Sequence, residues 1–194
     1  MSIAVDSRTD ALIVVDVQRD FCPGGALAVP HGDDVVPAIN RLLGLTDWLT
    51  VATRDWHPAD HCSFKAQGGI WPPHCVAGTD GAAFHPALDQ ARIGTVVSKA
   101  VTRDAEAYSG FHGTDLATRL AARGIRRVFV CGLATDYCVK ATALDARSAG
   151  LDVVVIEDAI RGVEVTPGDC VKALDEMRAA AIVLTPSGEL TALR

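Results

Sequence analysis

The chain has 194 residues, 49% of them hydrophobic and 22% charged, with a formal net charge of −6. That length suits one domain with a full core; the acidic balance, without a Lys/Arg cluster, gives no basic face for nucleic acid. No apolar run approaches the roughly 20 residues of a membrane span, and the polar segment 1–10, with Asp6 and Asp10, does not read as a signal peptide, so a cytoplasmic protein is expected.

In chain order, residues 11–17 (ALIVVDV) form the first of several short, β-branched runs. A helical pattern follows over about 34–45, then a second run at 48–53 (WLTVAT). After a long connection comes a third run at 95–99 (TVVSK), a helical pattern at 115–123, and a fourth run at 128–131. Helical stretches at 137–149 and 168–180 alternate with runs at 152–156 (DVVVI) and 181–184. Gly124 and Gly150 stand where helix C-termini are expected. Near-continuous apolar runs read as strands covered on both faces, and strand–helix alternation predicts a three-layer α/β/α domain with a parallel sheet. No linker or repeat divides the chain, so residues 1–194 are expected to form a single domain.

The connection between Thr53 and Thr95, about forty residues rich in Gly, Pro, His and Trp, shows no clear helix or strand. Loops of that length in a compact domain are functional or disordered. Two of the chain's three tryptophans, Trp56 and Trp71, fall here, which argues against disorder.

Ligands of such sheets bind beyond the carboxyl ends of the strands. Asp16, Asp55, His57 and Lys99 all fall at strand ends, and Cys138 follows the fourth run after GLATDY, so one rim gathers them. Thr135 or Asp136 is placed to cap the helix that opens there. A thiol at that helix start, with Lys99 as a neighbouring cation, is expected to be held as thiolate and to act as a nucleophile. Asp16 suits a general acid/base; a helix cap or a buried lysine partner is its plainer reading. Of the other five cysteines (Cys22, Cys62, Cys75, Cys131 and Cys170), Cys131 lies in the apolar run VFVCG and reads as a core residue. In the connection, about 54–94, Asp55, His57, His61 and His74 form a candidate site for one divalent metal ion: zinc, iron or manganese.

VDVQRDFCPGG (15–25), TRDWHPADHCSF (53–64), WPPHCVAGT (71–79), AYSGF (107–111) and VCGLATDYCVKATALDA (130–146) resemble the motifs of nicotinamidases, within the isochorismatase-like cysteine hydrolases. The resemblance spans about residues 11–184. It implies hydrolysis of nicotinamide, and of pyrazinamide, through a cysteine thioester formed by a triad of Asp16, Lys99 and Cys138. It further implies metal ligands Asp55, His57 and His74, with His61 completing the set in some members. Phe21, Trp71 and Tyr108 match the residues around the pyridine ring. An oxyanion hole is implied at the backbone N–H groups of Ala134 and Cys138, with a cis Leu133–Ala134 peptide. The implied sheet has six parallel strands in the order 3-2-1-4-5-6. Arg19 and Tyr137 depart from the usual pattern, in which Asn and His are common. The alternatives are a relative acting on another small amide or carbamoyl compound, and a metal-binding or regulatory protein on a retired enzyme fold. A small-molecule substrate and no nucleic-acid or membrane partner are expected, and a homo-oligomer is compatible with the reading.

Overall fold

The computed structural model describes residues 2–193. Its elements are β1 (Ile3–Val5), β2 (Asp10–Val15), α1 (Val36–Leu43), β3 (Leu49–Asp55), β4 (Thr95–Lys99) and α2 (Leu116–Ala122), then β5 (Arg127–Leu133), α3 (Lys140–Ser148), β6 (Asp152–Arg161), α4 (Asp169–Ala179), β7 (Val183–Thr185) and β8 (Leu190–Ala192). Six strands form one parallel sheet in the order β4-β3-β2-β5-β6-β7. Counted from β2, that is the order the resemblance implies.

Alternation along β2 sorts its side chains onto two faces. Leu12 and Val14 pack with Ile39, Leu42 and Leu43 of α1, while Ala11, Ile13 and Val15 pack with Leu116, Leu120, Ala143 and Met177 from α2, α3 and α4. The division follows from handedness. Steps from β2 to β3 to β4 run one way across the sheet and the later steps run the other way, so right-handed crossovers place their connections on opposite faces. Every residue of β2 is buried, which explains its uninterrupted apolar run.

Three features differ from the sequence expectation. β6 continues to Arg161 rather than ending at Ile156, past an irregular register opposite Val130 and Gly132. Its later residues Glu157 and Asp158 are exposed and mask the strand pattern. The helix expected from Tyr137 starts as a π-helical turn, Thr135–Val139, before α3 takes over at Lys140. A second, two-stranded parallel sheet joins β1 to β8, two segments too short to show a period.

The connection after β3 contains 3-10 turns at Lys65–Gln67 and Gln90–Arg92. Isolated bridges pair His57 with Val76, Phe64 with Trp71, and Gln18 with Phe84. It is packed, with His57, His61, Phe64, His74, Cys75, Phe84 and Leu88 all buried. Among the described residues, no helix is long and apolar enough to cross a membrane.

Candidate active site

Asp16 follows β2, Asp55 ends β3, Lys99 ends β4, and Cys138 lies in the turn after β5, so all four converge where the strand order reverses. Asp16 and Ala100 leave their strands with φ of 48° and 50°. A non-glycine residue in this left-handed region costs roughly 1–2 kcal/mol, so the rim is held against local preference.

Lys99 is the centre of the cluster. Its Nζ lies 2.9 Å from Asp16 Oδ2, pairs with Asp55 Oδ1, and donates to the Ala107 carbonyl at 3.0 Å and to Cys138 Sγ at 3.5 Å. Thr53 Oγ1 donates to Asp16 Oδ1 at 2.7 Å. An oxygen from each of Asp16 and Asp55 and the Cys138 sulfur all lie within 4.8 Å of one another. Burial alone would favour neutral Lys99, but the carboxylates of Asp16 and Asp55 outweigh it and hold the ammonium well above its usual range. Asp55 is pushed up by burial and pulled down further by the Lys99 ammonium, so its carboxyl sits below the usual range. Asp16 has the opposite balance: burial raises its pKa, and Lys99 offsets that only in part.

The same balance changes the expectation for the nucleophile. Burial pushes the Cys138 thiol well up; Lys99 pulls it down, and Asp16 and Asp55 push it up again. Burial and two carboxylates therefore work against the thiolate, and Lys99 is the one neighbour that favours it. Nor do Thr135 or Asp136 cap the turn: no side-chain capping bond forms there. The Leu133–Ala134 peptide is cis. Cys131 is buried in the core, its thiol directed at the Ile13 carbonyl at 3.7 Å.

Beside the Lys99 cluster lies a set of metal-type donors. Asp55, His57 and His74 each bring a ligand atom to within 4.8 Å of the others. His57 Nδ1 donates to the Ala100 carbonyl at 3.2 Å and His74 Nδ1 to the Pro72 carbonyl at 2.8 Å. Carbonyls only accept, so both rings carry their proton on Nδ1 and keep a lone pair on Nε2. His57 Nε2 is buried, has no hydrogen-bond partner, and stands 3.5 Å from Asp55 Oδ2. Burial also lowers the His74 pKa, favouring the neutral, ligating form. Two oriented imidazoles and a carboxylate fit one divalent cation.

His61 is engaged elsewhere. The Ser63 backbone N–H and the Ser63 hydroxyl meet its Nδ1 at 3.3 and 2.8 Å, so Nδ1 accepts and Nε2 carries the proton given to the Ala105 carbonyl at 3.2 Å. That tautomer has no lone pair left for a metal. Its ring stacks on His57 at 4.2 Å between centroids, so it braces His57 from behind.

A narrow cavity opens onto both groups, with Cys138, Asp55 and His74 all in its lining. Phe21, Trp71 and Tyr108 line it, as do Leu27, Tyr137 and Val163, which sequence reasoning did not place there. Trp71 Nε1 donates to the Tyr108 hydroxyl at 3.0 Å, and the Tyr137 ring meets Trp71 edge-on at 5.2 Å. Tyr137 could have been suspected from its place beside Cys138; Leu27 and Val163 are apolar loop residues with no signal in the sequence. Ala134 also lines the cavity. Arg19 turns away from it to pair with Asp80 at 2.6 Å.

A family model described as Isochorismatase domain matches residues 10–187. Nicotinamidase/pyrazinamidase of Mycobacterium tuberculosis is 46% identical over 187 residues, covering 91% of this chain and 98% of that protein. Among solved structures, PnC1 from L. infantum in complex with nicotinate superposes with a TM-score of 0.95 at 42% identity and covers all of both chains. Pyrazinamidase of Pyrococcus horikoshii in complex with zinc gives a TM-score of 0.85 at 50% identity, covering 91% of this chain and 98% of that one. A match over nearly the whole length and relatives of this identity leave one assignment: the chain belongs to the isochorismatase domain family.

Proposed function

We propose that this protein is an amidohydrolase that converts nicotinamide to nicotinate and ammonia, and that it also takes pyrazinamide. One observation carries the reading: a single aromatic-walled cavity exposes the Cys138 thiol together with the donors Asp55 and His74. Relatives named for the same activity, at 40–46% identity over about nine-tenths of this chain, support it.

In this reading Cys138 Sγ adds to the carboxamide carbon while its proton passes to Asp16, whose raised pKa suits it to hold that proton. Lys99 stays protonated and offsets the negative charge that develops at sulfur. The backbone N–H groups of Ala134 and Cys138 receive the carbonyl oxygen as it becomes an oxyanion. Asp16 then gives its proton to the departing nitrogen, the C–N bond breaks, and ammonia leaves a thioester on Cys138. Water attacks the thioester carbon as Asp16 takes one of its protons; the C–S bond breaks and that proton returns to sulfur. A divalent ion held by Asp55, His57 and His74 would supply a Lewis-acidic contact for the ring nitrogen. Phe21 and Trp71 would pack against the ring and keep water from its faces.

The whole chain is read as one such domain, working in the cytoplasm on a small molecule, and a homo-oligomer is compatible with that. An ammonia-release assay with nicotinamide on metal-replete protein tests the activity. Stoichiometric ammonia and nicotinate are expected; no release, with turnover of another small amide, would overturn it.

A further inference from the structure

Asp136 lies two residues before the nucleophile and is buried, yet it makes none of the contacts expected of a helix cap. Its carboxylate reaches instead to the segment after β6. Val163 N–H donates to Oδ1 at 3.0 Å and Glu164 N–H to Oδ2 at 2.7 Å. Among the described residues no cation pairs with it, so these two N–H groups are the compensation for placing a carboxyl group there. The segment it grips needs holding. Glu164 sits at a φ of 54°, a left-handed conformation that is costly for a residue with a long side chain. The Glu164 carboxylate in turn accepts from Gly168 N–H at 2.8 Å, at the start of α4. Val163 lines the cavity that exposes Cys138.

We infer that Asp136 is a positioning residue that ties the nucleophile's turn to the Val163 wall, and through that wall sets which ring substituents the cavity admits. The inference rests on the proposed activity toward pyridine carboxamides. One carboxylate spans the two parts whose separation decides whether a ring can enter while its carboxamide meets sulfur. Without the two bonds, the strained Glu164 can relax and Val163 can withdraw, so the cavity widens on that side and grips a plain ring less well. Discrimination is then lost along with affinity, and the bond-making step suffers less.

Hydrogen exchange and kinetics test this together. In Asp136→Ala, the Val163 and Glu164 amides should exchange at least about tenfold faster while β2 and β5 stay protected. The KM for nicotinamide should rise about tenfold with kcat changed less than about threefold, and rejection of the least tolerated ring-methylated nicotinamide should weaken about tenfold. Asp136→Asn, which keeps one acceptor oxygen, should fall between. The effects of Asp136→Ala and Val163→Ala on that discrimination should be non-additive if the first acts through the second. Unchanged exchange at Val163 and Glu164, or a fall in kcat with KM and discrimination intact, would overturn the inference. A wild-type protein that released no ammonia from nicotinamide would instead sink the proposed activity, and the exchange measurement, which needs no substrate, would still decide the tie.

Discussion

Lys99 ends a strand of the six-stranded ladder, and Asp16 and Cys138 sit just past the ends of two others. The segment between β3 and β4, which carries His57 and His74, has only short turns and isolated bridges. Both regions are buried at the site, so regular structure is not what separates order from disorder here. The connection is held by polar side chains that reach into it from elsewhere. Gln18 Oε1 accepts Asp55 N–H at 2.8 Å, and its Nε2 donates to the carbonyls of Asp55 and Ala82 at 2.8 and 2.9 Å. Asp20 Oδ2 accepts Cys75 N–H at 2.8 Å, next to His74. Asn40 of α1 donates to the Ala87 carbonyl and accepts Asp89 N–H, both at 2.8 Å. A ladder spreads its stability over many equivalent bonds, whereas a tethered loop concentrates it in a few, each expensive to lose when buried. The two regions should therefore fail differently.

The largest effect is expected on the rim. Cys138→Ala removes the proposed nucleophile from a small, buried position, so turnover should fall at least about a thousandfold while thermal midpoint and metal content stay close to wild type. Activity above a few per cent would take Cys138 out of that role. Next come the metal donors, Asp55 at the end of β3 and His57 in the connection: Asp55→Ala or His57→Ala should strip the bound metal and lower kcat/KM for nicotinamide by about a hundredfold or more, measured beside elemental analysis. Full metal content in both variants would disprove the assigned donors. Gln18→Ala touches no substrate but removes the partner of the Asp55 N–H and of the Asp55 and Ala82 carbonyls, which tie the end of β3 to the connection. It should weaken metal binding about 10–100-fold and cost roughly 2–3 kcal/mol in chemical denaturation. If the metal is retained as tightly as in wild type, the tether account of the connection is wrong. The smallest effect is expected at Cys131→Ala, buried within β5 and absent from the cavity lining, where about 1–2 kcal/mol of stability should be lost and kcat/KM kept. A stable but inactive variant would move the chemistry to Cys131.

How far the sequence could be read follows the same division. Apolar runs such as ALIVV and VFVC exposed the sheet because strands buried on both faces leave no polar alternation, and the motifs around Asp16, Asp55, Lys99 and Cys138 named a rim that the fold brings together. What stayed hidden depends on geometry across the chain. The β1–β8 pair shows no period in three residues, and β6 is disguised where exposed acids interrupt it. His61 looks like a fourth ligand by composition; only its contacts with Ser63 and the Ala105 carbonyl reveal that both ring nitrogens are already engaged. Around Cys138 the sequence shows one nearby cation, while the structure adds burial and two carboxylates that push the thiol up. Val163 reaches the cavity from over twenty residues beyond the nucleophile, through a carboxylate that the sequence offered as a helix cap.

The central claim is that the connection supplies orientation and the rim supplies bond-making chemistry. Nicotinamide, pyrazinamide and benzamide separate the two, because all present a carboxamide to Cys138 but benzamide has no ring nitrogen for an ion at Asp55, His57 and His74. Comparing kcat/KM for the three on metal-replete protein is the most direct test. Pyrazinamide should be hydrolysed, and benzamide should be at least about a hundredfold poorer than nicotinamide, roughly 2.7 kcal/mol of barrier. Equal efficiency on benzamide and nicotinamide would contradict the account, since the ring would then be held without help from the connection's donors.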